Sequence, residues 1–128
     1  MKANILVVED NPLNMQMVRD ILQYRGHKVL EATTVEEGRE RLSSNLPDLV
    51  LVDIQIPGGG GERLLRDIRA DGRLRHIPVI AVTAFAMEGD QERFLKAGFT
   101  AYISKPIDTR QFGPTVESFL PPDGKLNA

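Results

Sequence analysis

The hydrophobic period of this chain switches back and forth along its length, and that alternation limits the folds open to it. The short apolar runs are Ile5–Val8, Lys28–Leu30, Leu49–Val52, Val79–Val82 and the weaker Ala101–Ile103. Apolar residues at successive positions leave neither face for water, which suits strands of a parallel sheet covered on both sides. Between these runs lie segments of helical period, over residues 12–25, 35–44, 61–70, 88–97 and 109–120. Strict alternation of strand and helix predicts an α/β fold, a doubly wound, five-stranded parallel sheet of (βα)5 type. Residues 1–120 are expected to form one domain, and 121–128 a flexible polar tail.

Composition narrows the chemistry. Sixteen Lys+Arg against eighteen Asp+Glu give a net charge of −2, with no basic excess to suggest nucleic acid or an anionic membrane. Cysteine is absent, which removes disulfides, thiolate metal sites and cysteine nucleophiles. Two histidines, His27 and His76, are too few for a His-based zinc site or triad. No run approaches the roughly 18 apolar residues of a membrane helix, and the N-terminus has no signal-peptide pattern. A cytoplasmic domain is the expectation.

Helix punctuation agrees with this division. Asn11-Pro12 reads as an N-cap with proline at the first helical position, Gly26 as the glycine after a helix end, and Thr34 with Glu37 as a capping box. At about 100° per residue, Asn14 falls within the stripe of Met17, Val18 and Ile21. It is therefore expected to be buried and bonded to a neighbouring loop. Gly113-Pro114 interrupts the last helix, but Phe112, Val116, Phe119 and Leu120 keep helical spacing across it. A kinked, continuous helix is expected there. Gly58–Gly61 lacks the Lys-Ser/Thr of a phosphate loop, and four glycines predict mobility.

Ligands of such sheets collect at the carboxyl ends of the strands. After the first strand stand Glu9 and Asp10, after the third Asp53, after the fourth Thr83, and after the fifth Lys105-Pro106. Three carboxylates brought together raise one another's pKa unless a cation shares the site. Oxygen ligands without His or Cys favour Mg2+. An aspartate beside such an ion is able to attack phosphorus and carry an acyl phosphate, with Lys105 and the metal on the phosphoryl oxygens.

Four stretches carry a resemblance: Ile5-Leu-Val-Val-Glu9-Asp10-Asn11-Pro12, Leu49-Val-Leu-Val-Asp53-Ile-Gln-Ile-Pro57, Val82-Thr83-Ala84 and Ser104-Lys105-Pro106. Together they resemble the response-regulator receiver domains of two-component signalling, the CheY-like superfamily with its flavodoxin-like fold. The phrases Asp53–Pro57, Ala84–Met87 and Ala101–Ile107 look most like stand-alone cell-cycle receivers of the DivK type. The resemblance spans residues 3–120. It makes Asp53 the phosphoacceptor, with Mg2+ on Asp10, Asp53 and the Gln55 backbone carbonyl, and Glu9 acting through water. Lys105, Thr83 and the Ala84 backbone N–H would meet the phosphoryl group, and Tyr102 would turn as Thr83 moves. It also implies a cis Lys105-Pro106 bond. The face remodelled on switching would be Phe85–Met87 and the last helix.

The resemblance implies a phosphoacceptor switch of a phosphorelay, not an enzyme beyond its own phosphorylation and dephosphorylation. A histidine kinase or histidine phosphotransfer protein would donate, and a protein target would read the result. With 3–120 given to the receiver, no DNA-binding output domain is expected, and output is expected through protein contact or onward phosphotransfer. The alternative origin is a receiver excised from a hybrid histidine kinase. An aspartyl-phosphate phosphatase commonly has a second acid two residues after its nucleophile, where this chain has Gln55. A flavodoxin-like nucleotide binder wants a hydroxyl- and glycine-rich first loop, where this chain has Glu9-Asp10.

Overall fold

A computed structural model describes residues 2–84 and 89–122. Five strands and five helices alternate: β1 (Asn4–Val8), α1 (Pro12–Tyr24), β2 (Lys28–Ala32), α2 (Val35–Ser44), β3 (Leu49–Asp53), α3 (Gly61–Ala70), β4 (Val79–Thr83), α4 (Asp90–Ala97), β5 (Ala101–Ser104) and α5 (Phe112–Glu117). All pairings are parallel, and the sheet order is β2-β1-β3-β4-β5. The expected fold is the observed one. Strand ends run one or two residues beyond the apolar runs, because hydrogen bonding to a neighbour continues through Ala32, Asp53, Thr83 and Ser104.

Side chains alternate across each strand, so the sheet builds two cores. Leu6, Val8, Val50, Val52, Val79 and Ala81 face α2, α3 and α4, meeting Leu42, Leu64, Leu65, Ile68 and Phe94. Ile5, Val7, Leu49, Leu51, Ile80 and Val82 face α1 and α5, meeting Met15, Val18, Leu22, Phe112 and Val116. Burial of an aliphatic side chain of this kind contributes about 1.5–3 kcal/mol, and the two layers hold the strand ends in fixed relation.

The local signals mostly act as read. Asn11 Oδ1 accepts from the N–H groups of Leu13 and Asn14, at 3.0 and 3.1 Å. Gly26 has φ +93°. Its N–H reaches the Gln23 carbonyl at 2.9 Å and the His27 N–H reaches Leu22 at 3.0 Å, the Schellman arrangement. The Glu37 N–H donates to Thr34 Oγ1 at 3.1 Å, but the Glu37 carboxylate reaches back to the Thr33 N–H at 2.6 Å, one residue earlier than a capping box requires. Lys105-Pro106 is cis.

Two expectations are corrected. Asn14 is only half-buried, and among the described residues its side chain makes no bond to a loop. The buried stripe of α1 is Met15, Val18 and Leu22, rotated from the one assumed. The last helix is also shorter than 109–120. It begins at Phe112, after Asp108 caps the preceding turn through the N–H of Arg110 at 2.9 Å. Pro114 thus falls in the first turn, where a missing N–H costs little and no kink is needed. Residue 88, Phe85–Met87 and residues 123–128 of the expected tail lie outside the described residues. Among the described residues no helix is long and apolar enough to cross a membrane.

Candidate functional site

Parallel register gathers the site. Val8 pairs with Val52, so Glu9 leaves β1 beside Asp53 at the end of β3. Asp53 pairs with Val82, which places Thr83 one step further along the same edge. Thr83 pairs with Ser104, and Lys105 follows. The winding reverses between β1 and β3, where a doubly wound sheet opens a crevice at its carboxyl edge.

Glu9, Asp10 and Asp53 each offer a carboxylate oxygen, all within 4.8 Å of one another. Glu9 and Asp53 are buried and Asp10 is exposed. Lys105 spans the two buried acids. Its Nζ donates to Glu9 Oε1 at 2.8 Å and to Asp53 Oδ2 at 2.7 Å. The second oxygens are also held: Glu9 Oε2 accepts from the Asn11 N–H at 3.1 Å, and Asp53 Oδ1 from the Gln55 N–H at 3.0 Å. That last bond sets the Gln55 peptide against Asp53.

Burial pushes the Glu9 carboxyl above its ordinary range, and the Lys105 and Asn11 donors offset part of that rise. Burial works against the Lys105 ammonium as well. Its two carboxylate partners outweigh the burial, and its pKa lies above the usual lysine value. Three acids with one lysine leave the cluster net negative. Hard oxygen donors at this spacing fit a small divalent cation such as Mg2+.

Thr83 is fully buried and Ala84 is exposed at the start of the following loop. Thr83 fixes the last residue's approach, because its carbonyl accepts from the Lys105 N–H at 2.8 Å. Tyr102 is half-buried. It packs against the core shared with α2, α3 and α4, and the residue also lines an open groove of about 360 Å³ with Pro106, Gln111, Phe112 and Thr115. The structure therefore brings Glu9, Asp10, Asp53, Gln55 and Lys105 together and sets Thr83 beside them, with Tyr102 one strand away.

Comparison with known proteins decides the family. The response regulator receiver domain model matches residues 5–117. The chain belongs to the response-regulator receiver family. This receiver is 43% identical over 120 residues to the polar-differentiation response regulator DivK of Brucella anthropi, covering 94% of this chain and 98% of that one. A solved receiver domain of a sensor histidine kinase from Pseudomonas aeruginosa superposes with TM-score 0.84 at 30% identity, covering 93% and 98% of the two chains. That structure holds a magnesium ion in its active-site cleft. The chemotaxis regulator CheY4 of Vibrio cholerae shares the fold, with TM-score 0.88 at 22% identity over 94% and 100% of the chains. The receiver is thus a module of two-component phosphoacceptor signalling.

Sequence reading missed a second polar cluster, at the opposite edge of the sheet. Glu117 of α5 accepts from Arg25 Nε and Nη2 at 2.9 and 2.6 Å, and stands 2.7 Å from His27 Nε2. His27 Nδ1 accepts from the Ala3 N–H at 3.1 Å, which leaves Nε2 as the donor to Glu117. The Arg25 guanidinium, with His27 behind it, holds the Glu117 carboxyl down to about 2. Gly113 leaves room for this arginine, since a Cβ on it would stand 2.3 Å from Arg25 Cδ. Arg69 was missed too. It donates to the carbonyls of Gly98, Arg75 and Ile77 at 2.8–3.0 Å and joins α3 to the turns before β4 and β5.

Proposed function

We propose that this receiver is a phosphoacceptor switch of a phosphorelay, taking a phosphoryl group on Asp53 from a histidine kinase or histidine phosphotransfer protein. The observation that carries this reading is the Glu9–Asp10–Asp53 cluster bridged by Lys105 at the carboxyl edge of the sheet. Asp10, Asp53 and the Gln55 carbonyl would hold Mg2+, and Glu9 would act through water. Bound there, the ion supplies positive charge for the phosphoryl oxygens.

The residues of the chain divide the remaining work. An oxygen of Asp53 attacks phosphorus, the bond from phosphorus to the donor imidazole nitrogen breaks, and an acyl phosphate forms. Lys105, already 2.7 Å from Asp53, moves its charge to the new phosphoryl oxygens. The Thr83 hydroxyl and the Ala84 N–H hydrogen-bond the same group. Tyr102 then turns toward the space that Thr83 leaves, which changes the groove between β5 and α5 that a protein target reads. The chain acts as a switch in the cytoplasm and turns over no substrate other than its own phosphoryl group.

Radiolabelled acetyl phosphate and a panel of phosphorylated histidine kinases test this reading. Label is expected on the wild type with Mg2+, and its loss is expected with EDTA and in Asp53→Asn. Label retained by Asp53→Asn would move the acceptor elsewhere.

A further inference from the structure

The loop between β3 and α3 carries an arrangement that phosphoryl transfer itself does not call for. Gly58, Gly59 and Gly60 follow one another at φ +100°, +113° and +84°, values that strain any residue with a side chain. Glycines in succession lose much freedom when ordered. They lie on the loop that carries Gln55, whose own N–H is held by Asp53 Oδ1 at 3.0 Å. Backbone bonds hold the loop at both ends: the Val35 N–H donates to Pro57 at 3.0 Å, the Gly60 N–H to Ile56 at 3.2 Å, the Gly61 N–H to Ile54 at 2.9 Å and the Arg63 N–H to Gly60 at 3.2 Å.

A side chain supplies a further restraint, on the glycines themselves. Arg63, in the first turn of α3, folds back over the glycines. Its Nη1 donates to the Gly58 carbonyl at 3.0 Å, the one side-chain hydrogen bond to residues 56–60 among the described residues. Its Cδ lies 2.5 Å from the place a Cβ on Gly59 would take, so the bare backbone at 59 is what lets the arginine stem lie flat.

We propose that Arg63 is a positioning residue for the divalent-cation site, strapping Gly58 and Gly59 so that the Gln55 peptide is set toward Asp10 and Asp53 before the ion arrives. The proposal rests on the metal assignment above. A loop ordered only on binding subtracts its ordering free energy from affinity, and a strap reduces that cost. Arg63 touches neither ion nor phosphoryl group, so its effect is on affinity for the ion.

Calorimetric titration of the full chain with Mg2+ tests the strap in wild type, Arg63→Ala, Arg63→Met, Arg63→Lys and Asp10→Asn. Arg63→Ala and Arg63→Met are expected to weaken binding by about two- to fivefold, the yield of one exposed hydrogen bond. Arg63→Lys keeps the stem and one donor, and should retain most of the affinity. Affinity is read on folded protein, so a merely structural role would not move it. In metal-free protein, amide relaxation of Gly58 and Gly59 should show lower order in Arg63→Ala than in wild type. Unchanged Mg2+ affinity in Arg63→Ala, alongside weakened binding in Asp10→Asn, would overturn the strap alone. No loss in Asp10→Asn would overturn the metal reading, and the proposal with it.

Discussion

Replacing Asp10 by asparagine keeps the outline of the site and removes one negative charge from it. Asp10 is exposed, and its carboxylate oxygen lies within 4.8 Å of those of Glu9 and Asp53. In bulk water two unit charges at that distance repel by about 0.9 kcal/mol, and Lys105, bonded to both neighbours, offsets part of the sum. Without metal, Asp10→Asn should therefore stabilise the chain by about 0.5–1 kcal/mol. With Mg2+ at 100 times its wild-type dissociation constant, binding adds about 2.7 kcal/mol to the wild type. Loss of a direct ligand weakens affinity by about 100-fold or more, which leaves the variant a gain of about 0.4 kcal/mol. The order of stability then inverts, with the wild type ahead by about 1.5 kcal/mol. Urea unfolding in EDTA and in Mg2+ reads both numbers. A variant less stable than wild type in EDTA would refute the repulsion argument, and an equal gain with Mg2+ would remove Asp10 from the ligands.

Arg69→Met keeps the stem but deserts the carbonyls of Gly98, Arg75 and Ile77, and should cost about 2–3 kcal/mol in urea unfolding; a loss below about 0.5 kcal/mol would mean that water replaces the guanidinium. A Cβ at Gly61 would stand 2.7 Å from the Asp53 carbonyl oxygen, whereas one at Gly72 meets nothing within 4 Å. Gly61→Ala should thus destabilise by about 1–3 kcal/mol and slow phosphorylation, while Gly72→Ala should be neutral or stabilise by up to about 1 kcal/mol. Glu117 has a folded pKa of about 2, below its ordinary 4.5, so its contribution is full above pH 4.5 and is lost as pH falls toward 2. Glu117→Gln should accordingly be less stable than wild type at neutral pH, and the gap should close across that window in acid unfolding.

Much of this was legible because the informative residues sit next to a change of period. The five apolar runs locate the sheet, and the residue after each run is, by construction of a parallel sheet, at its carboxyl edge. Glu9, Asp53 and Thr83 stand directly after their runs and Lys105 one residue further on, so they could be named on that ground. The direct bonds from Lys105 to Glu9 and Asp53 could not, since they join residues 96 and 52 apart. Arg25, His27 and Glu117 are hidden for the same reason, with 90 or more positions between α5 and its partners. Arg69 and Arg63 bond to backbone carbonyls, and a carbonyl has no letter in the sequence. The last helix was misread because Phe112, Val116, Phe119 and Leu120 keep helical spacing past its end. A turn capped by Asp108 precedes its start, and nothing in that spacing reveals it.

Lys105 gives the metal-free site its own counter-ion. A cation held by Asp10 and Asp53, as proposed, would meet carboxylates already partly neutralised, and would compete with an ammonium for Asp53 and Glu9 instead of filling a bare negative well. Competition of this kind would trim affinity, and with Lys105 on both acids the folded chain would tolerate losing the ion. If Asp53 carries a phosphoryl group as proposed, the same lysine would be available to it, and back to the carboxylates when that group leaves. On the proposed reading both steps would be reversible, because the bond from Lys105 to Asp53 that holds the resting site is there to re-form.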